Sequence, residues 1–193
     1  MVKEVLLVRH GMTKWNQQGI VQGSKDIHLS LEGIDQIESL ARDFKEQQVI
    51  FDGIIVSPLR RARQTAEMLG LVFNVPVTIH PGLSERNMGE FEGRLISDLK
   101  VMYGDQWEHL TPSGGESVEE FNLRTVSAFS QSMVQYEGER PLIVGHGFSI
   151  AKILGHFDAS QNITDSYGIK NATLYSLSLP EVLPTEFGIP TSK

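Results

Sequence analysis

The chain has 193 residues, of which 40% are hydrophobic and 21% charged, with a formal net charge of −7 and no cysteine. This length and balance predict a single globular domain over residues 1–193 and exclude a fibrous or disordered protein. The lack of cysteine excludes disulfides, thiolate zinc sites and cysteine nucleophiles, and the acidic charge argues against nucleic acid or an anionic membrane as a partner.

The N-terminus carries an apolar run that is too short to span a membrane and is unlike a signal peptide. The run Val5–Val8 ends at Arg9, and no small-residue cleavage site follows it. A buried parallel strand explains the run better. We therefore expect a cytoplasmic protein without membrane association.

Several short runs along the chain have the composition of strands. The first is continuously apolar, the third is rich in β-branched residues, and the last alternates in character. The runs are Val5–Val8, Gly53–Val56, Val75–Ile79, Leu142–Val144 and Thr173–Leu179.

Helical patterns lie between these runs. The first places apolar residues of the range 34–44 on one face, with Ser30 positioned to cap it. The second is predicted over Leu59–Leu69 with Pro58 in its first turn, and the third is marked by apolar residues over 118–133. This alternation predicts an α/β fold, a three-layer α/β/α sandwich with a mostly parallel central sheet. The tail after residue 180 is expected to be irregular.

Polar residues follow three of the predicted strands. His10 comes after the first run, Ser57 after the second and His146 after the fourth. Ligands of open parallel sheets bind beyond the carboxyl ends of the strands, so these side chains are expected to share a site.

The tripeptide Arg9-His10-Gly11 is a weak signal on its own, because a histidine at a strand end is more often structural than catalytic. Further groups of residues follow it in a fixed order. They are Thr13 with Asn16, SPLRRARQTA at 57–66, LSE at 83–85, GEFEG at 89–93, GGES at 114–117 and GHG at 145–147.

In this order the motifs resemble the histidine phosphatase superfamily, in the branch that includes cofactor-dependent phosphoglycerate mutase. The resemblance runs from residue 5 to about residue 150. It implies that His10 is the nucleophile and that Arg9 and Arg61 grip the phosphate. It also implies that His146 is the second histidine of the pocket and that Glu85 is the proton donor to the leaving group.

The resemblance further implies that the side chain of Asn16 contacts the phosphoryl oxygens. The expected substrate-binding residues are Arg9, Asn16, Arg61, His146 and Gly147. One departure is Met12, where the family usually has Glu or Gln. This position follows the core triplet, so the change bears on fine tuning of the pocket rather than on activity.

The chemistry makes sense of these residue types. A neutral imidazole attacks a phosphomonoester dianion without charge repulsion, and two guanidiniums fork onto the oxygens that gain charge in the transition state. A protonated His146 would add a third positive donor. A carboxylic acid such as Glu85 can protonate the leaving oxygen and then deprotonate water. No metal and no cofactor is expected, because the histidines lack paired ligand spacing and the arginines supply the positive charge.

Other interpretations compete with this one. The segment Gly147-Phe148-Ser149-Ile150-Ala151 is close to the nucleophile elbow of serine hydrolases, but no acid followed by a histidine comes after it in the required order. The arginines at 60, 61 and 63 could form a solvated helix face, and Glu90 or Glu92 could replace Glu85. A catalytically inactive phosphoester-binding protein is disfavoured because Arg9, His10, Arg61 and His146 are all present.

The expected reaction is metal-independent hydrolysis of a small-molecule phosphomonoester through a phosphohistidine, and the alternative is a cofactor-dependent phosphoglycerate mutase. Only 60 residues separate Glu85 from His146. Between Gly93 and Gly114 the basic side chains other than His109 are Arg94 and Lys100, with no adjacent arginine pair for a substrate carboxylate. With so few residues to cover the active site, water is expected to reach the phosphohistidine and to accept its phosphoryl group. The segment 94–113, where substrate specificity is expected to be set, shows no assignable pattern.

Overall fold

A computed structural model describes residue 2, residues 4–158 and residues 168–179. The strands are β1 (Glu4–Arg9), β2 (Gly53–Val56), β3 (Val77–Ile79), β4 (Pro141–Gly145) and β5 (Leu174–Ser178). The α-helices are α1 (Lys14–Gln17), α2 (Leu31–Glu46), α3 (Arg60–Phe73), α4 (Ile96–Tyr103), α5 (Val118–Gln135) and α6 (Gly147–Phe157). Short 3-10 helices cover Pro81–Leu83, Gly89–Phe91 and Asp105–His109.

The strands form one sheet in the order β3-β2-β4-β1-β5. Parallel pairing joins β3 to β2, β2 to β4 and β4 to β1, and only β5 runs antiparallel, at the edge beside β1. The predicted mostly parallel sheet is therefore confirmed. Because β1 and β2 both pair with β4, the carboxyl ends of these three strands lie side by side.

Helices cover both faces of the sheet, which confirms the three-layer sandwich. Along β1, Val5 and Leu7 pack into one apolar cluster with residues of α5 and α6. The alternate residues Leu6 and Val8 pack into a second cluster with residues of α2 and α3. Side chains alternate across a strand, so one continuously apolar run serves both layers.

The helix starts follow the capping signals of the sequence, with one exception. Ser30 caps α2 as predicted, its hydroxyl accepting a hydrogen bond from the Gly33 amide at 3.1 Å. The prediction that Pro58 lies in the first turn of α3 is wrong. The helix begins at Arg60, and Ser57 Oγ accepts from the Leu59 amide at 3.3 Å, which closes a turn ahead of the helix.

A third, smaller apolar cluster lies apart from the two sheet layers. Its buried members are Val21, Met88, Phe91, Leu99 and Trp107. It is built from the loop after α1, the segment after the acid motif, α4 and the 3-10 helix at 105–109. The segment 94–113, which showed no pattern in the sequence, therefore folds into α4 and this 3-10 helix.

Two expectations remain, one about the C-terminal tail and one about membrane-spanning helices. The predicted irregular tail after residue 180 lies outside the described residues. Among the helices of the described part, none is both long and apolar enough to cross a membrane.

Candidate active site

A cavity of about 110 Å³ opens at the carboxyl ends of β1, β2 and β4. It brings together most of the residues that the sequence predicted, from five separate segments of the chain. Its predicted members are Arg9, His10, Asn16, Arg61, Glu85 and Gly147. The remaining predicted residue, His146, lies against His10, with the two ring centroids 5.2 Å apart.

The hydrogen bonds of His10 fix which ring nitrogen can act as a nucleophile. Its Nδ1 lies 2.7 Å from the carbonyl oxygen of Gly11, so Nδ1 carries the proton and donates it. Its Nε2 then has the lone pair, and it accepts from Arg61 Nε at 3.2 Å. Burial, followed by the charges of Arg61 and Arg9, lowers the pKa of His10 well below its usual value. The imidazole is therefore neutral at neutral pH.

Arg61 lies in the first turn of α3 and is buried, so it is not part of a solvated helix face. Besides its contact with His10, it donates from Nη1 to the carbonyl of Lys25 at 2.7 Å and from Nη2 to the carbonyl of Gly23 at 2.8 Å. Burial lowers the pKa of Arg61 to about 10, which still leaves the guanidinium charged at neutral pH.

The loop that holds Arg61 is itself held by Glu92. Glu92 Oε1 accepts from the Ser24 amide at 2.7 Å and from the Ser24 hydroxyl at 2.8 Å, and Oε2 lies 3.7 Å from Lys25 Nζ. Gly23 has a φ of +51°, and a Cβ there would lie 2.3 Å from Glu92 Oε1. Glycine at this position allows the loop to close on Glu92 and to present its carbonyls to Arg61.

Arg9 is the last residue of β1 and lines the cavity. Its Nη1 donates to the carbonyl of Ile169 at 2.6 Å. Its Nε is buried and has no partner within the described part of the chain. A phosphate oxygen in the cavity would give this donor a partner.

Glu85 is almost completely buried at the cavity wall, with a relative exposure of 7%. Its Oε1 accepts from the Arg86 amide at 2.9 Å and its Oε2 from the Phe148 amide at 3.1 Å. Burial raises the pKa of the Glu85 carboxyl above its usual value, although these amides and Arg61 oppose the shift. A carboxyl whose pKa is raised can hold the proton that a leaving group needs.

Two arginines fix the backbone around Glu85. Arg124 forks onto the carboxylate of Glu116 at 2.8 and 2.9 Å and also donates to the carbonyl of Ser84 at 3.1 Å. Arg86 donates to the carbonyls of Leu110 at 2.6 Å and of Glu116 at 3.0 Å. The GGES motif thus anchors the acid segment, and its Ser117 also caps the start of α5.

His146 is buried, and its Nε2 lies 2.6 Å from Ser57 Oγ. Its Nδ1 has no partner among the described residues. Burial, followed by the charges of Arg61, His10 and Arg9, lowers the pKa of His146 well below its usual value. The expectation of a protonated His146 therefore does not hold for the free site, where burial beside two guanidiniums keeps the ring neutral.

Asn16 lines the cavity from α1. Its Oδ1 is taken by the capping box of that helix, accepting from the Thr13 amide at 3.1 Å, which leaves its amide nitrogen for a ligand. Met12 does not line the cavity. Its carbonyl accepts from the Ser30 amide at 2.9 Å, and a Cβ at Gly33 would lie 2.0 Å from that carbonyl. The departure at Met12 therefore falls at a backbone contact between the histidine loop and α2.

The residues on which the competing assignments rest have other contacts in the structure. Glu90 is exposed and accepts from the Ser113 amide at 3.2 Å, and Glu92 is engaged with Ser24. Ser149 is buried in the first turn of α6, where its hydroxyl accepts from the His146 amide at 3.0 Å. Of the three acids in the two motifs, only Glu85 lines the cavity.

Several residues in and around the cavity were given no role from the sequence alone. Ser57 does not line the cavity, and the sequence placed it at the shared strand ends with His10 and His146 without giving it a role. The apolar residues carried no signal, because they are scattered along the chain and look like ordinary core. The unassigned lining residues are Ile20, Val21, Gln22, Gly23, Met88, Ile96, Trp107 and Phe148.

The arrangement combines a neutral imidazole, two fixed cations and a buried acid in one small space. These are the groups that phosphoryl transfer requires. Among the described residues, no group of three or more histidine, aspartate or glutamate side chains is placed to hold a metal ion.

Known proteins resemble this chain over most of its length. Residues 5–184 match the model of the histidine phosphatase superfamily, branch 1. The chain is 30% identical over 177 residues to the uncharacterized phosphatase PhoE of Bacillus subtilis, covering 92% of this chain and 89% of that protein. It is 34% identical over 155 residues to the probable phosphoglycerate mutase GpmB of Escherichia fergusonii, covering 76% and 71%.

Solved structures share the fold. Mycobacterial glucosyl-3-phosphoglycerate phosphatase Rv2419c, in complex with VO3, superposes with a TM-score of 0.77 at 24% identity, covering 92% of this chain and 93% of that one. YhfR of Bacillus stearothermophilus superposes with a TM-score of 0.78 at 23% identity, covering 92% of each chain. With the family model matched over most of its length, the chain belongs to branch 1 of the histidine phosphatase superfamily.

Proposed function

We propose that this protein is a metal-independent phosphatase that hydrolyses small phosphomonoesters through a phosphohistidine at Nε2 of His10. The observation that carries the proposal is the lone pair of Nε2, which lies 3.2 Å from Arg61 Nε in a cavity shared with the buried acid Glu85. A neutral, buried imidazole meets a phosphate dianion without charge repulsion.

The first step transfers the phosphoryl group to the protein. Nε2 of His10 attacks phosphorus, a P–N bond forms and the ester P–O bond breaks. The proton of the Glu85 carboxyl passes to the leaving oxygen. Arg9 and Arg61 stabilise the charge on the transferring oxygens, and donors of this kind contribute roughly 3–4 kcal/mol each.

The second step returns the protein to its starting state. Glu85, now a carboxylate, takes a proton from a water molecule whose oxygen attacks phosphorus. The P–N bond breaks and its electron pair returns to Nε2. The products are inorganic phosphate, a neutral His10 and a protonated Glu85, so no cofactor is consumed.

A phosphoglycerate mutase is the second candidate, because the similar proteins include both named phosphatases and named mutases. The contacts of the basic side chains in and near the segment 94–113 favour the phosphatase. Arg86 is held by backbone carbonyls, Arg94 donates to Met102 Sδ at 2.9 Å, and Lys100 lies 3.6 Å from Asp105. None of them lines the cavity, where a mutase has to hold a substrate carboxylate.

The test supplies 3-phosphoglycerate with a trace of 2,3-bisphosphoglycerate and follows both products. We expect free phosphate to form faster than 2-phosphoglycerate, because water reaches the phosphohistidine. Isomer formation far faster than phosphate release would assign the protein to the mutases. p-Nitrophenyl phosphate serves as the control that the preparation is active.

A further inference from the structure

We infer that the site selects phosphomonoesters whose alcohol part is small, apolar and uncharged. The inference rests on the proposed phosphatase function and extends it to the substrate class. It follows from what lines the cavity beyond the phosphate-binding groups.

Apart from Gln22 and two glycines, the lining of the cavity beyond the phosphate-binding groups is apolar. Its apolar part is made by Ile20, Val21, Met88, Ile96, Trp107 and Phe148. These side chains come from the loop after α1, the segment after Glu85, α4, the 3-10 helix at 105–109 and the first turn of α6. We call this set the apolar wall. Three of its members, Val21, Met88 and Trp107, are buried in the third apolar cluster, which makes the wall rigid.

The charges in the cavity are already committed to phosphoryl transfer. In the described part of the chain, Arg9 and Arg61 are the lining cations, and both serve the phosphate. The remaining charged side chain of the lining is Glu85, which would repel a substrate carboxylate when it is ionised. A negatively charged alcohol part would thus lose its hydration on binding without gaining a cationic partner.

Two basic side chains around the site, Arg86 and Lys25, are engaged elsewhere. Arg86 lines a separate cavity behind Phe148 and is held by backbone carbonyls, including those of Leu110 and Glu116. Lys25 lies 3.7 Å from Glu92. Neither reaches into the cavity to pair with a substrate carboxylate.

The size of the space restricts the alcohol part further. About 110 Å³ is small beside the roughly 300–1,000 Å³ of sites that hold drug-sized ligands. The phosphoryl group has to occupy part of this space, which leaves room for a short alkyl chain. Apolar contact with the wall places such a group next to Glu85, which is where its oxygen has to be protonated.

A series of three-carbon esters tests the inference on the unmodified protein. Propyl phosphate, glycerol 1-phosphate and 3-phosphoglycerate share a primary oxygen as leaving group and differ in the polarity of the chain. We expect kcat/KM for phosphate release to fall in that order. The first and last should differ by about 10-fold or more, the usual scale for burying an unpaired charged group. Equal rates, or a preference for 3-phosphoglycerate, would overturn the inference and leave the phosphatase assignment intact.

Two lysine variants on α4 locate the selectivity at the wall. Ile96→Lys places an ammonium at a lining position and should raise the ratio of 3-phosphoglycerate to propyl phosphate turnover by about 10-fold. Ser97→Lys is the control, since Ser97 is exposed on the same helix and does not line the cavity. An equal change in both variants would overturn the role of the wall. No phosphate from any ester, p-nitrophenyl phosphate included, would instead reject the proposed function and this inference with it.

Discussion

Ser57 Oγ lies 2.6 Å from Nε2 of His146, and both residues follow strands that are neighbours in the sheet. We expect the Ser57 hydroxyl, which accepts from the Leu59 amide, to donate its own proton to Nε2. The ring proton of His146 is then on Nδ1, which has no partner among the described residues. Ser57 does not line the cavity, so its effect on the reaction would pass through the ring of His146.

Removing the hydroxyl of Ser57 should allow the ring proton of His146 to occupy either nitrogen. We expect Ser57→Ala to lower kcat/KM by about 10-fold, the effect of losing roughly 1.4 kcal/mol of hydrogen bonding. Nitrogen NMR of His146 should show a mixture of tautomers, a signal that a purely structural role would not change. Ser130→Ala is the control, since Ser130 is a buried serine of α5 away from the cavity. Wild-type tautomer and wild-type kinetics in Ser57→Ala would contradict this role.

Glu85→Gln removes the proton donor while keeping the shape of the side chain. We expect turnover of alkyl phosphates to fall by roughly 10²–10⁴-fold, the usual contribution of general acid–base catalysis. The loss should shrink for p-nitrophenyl phosphate, whose leaving group departs without a proton. Glu90→Gln, at an exposed position outside the cavity, should retain wild-type rates. An equal loss for good and poor leaving groups would move the acid role to another residue.

The pKa shifts predict a pH dependence with two separate limbs. His10 has to be neutral to attack, and burial lowers its pKa, so activity should fall only when the pH drops below that lowered value. Glu85 has to be protonated in the first step, and burial raises its pKa, so activity should fall as the pH rises above that raised value. Measured with phenyl phosphate, kcat/KM of Glu85→Gln should keep the acidic limb and lose the alkaline one. An unchanged alkaline limb in this variant would reject the assignment.

Much of this site could be predicted from the sequence, because its polar residues sit at recognisable places. His10 and His146 directly follow β1 and β4, and Arg61 lies in the first turn of α3. The parallel pairing of β1 and β2 with β4 then brings the three together, as strand ends in such sheets require. Glu85 was chosen over its neighbours by family position, and burial now separates it from Glu90.

The apolar wall could not be predicted in the same way. Ile96 lies on a helix of only 8 residues, and Trp107 lies on a 3-10 helix, so neither has a periodic pattern around it. Their common surface exists only after distant loops close on one another. The neutral state of His146 was also beyond the sequence, because it depends on burial beside Arg9 and Arg61.

We also expect turnover to need no metal ion. Arg9 and Arg61 provide the positive charge that a metal ion supplies in other phosphatases. Dialysis against a chelator should leave kcat unchanged, whereas vanadate, which mimics the pentacoordinate transition state, should inhibit. Activity that disappears with the chelator and returns with magnesium or zinc would contradict this prediction.

Rapid quench with a phosphorus-labelled substrate tests most directly whether phosphorus becomes bonded to His10. Within the first turnover the wild-type protein should carry label that is lost in acid and retained in base, as expected for a phosphohistidine. His10→Ala should carry no label and release no phosphate, with folding checked by circular dichroism. A labelled adduct that persists in His10→Ala would contradict the account.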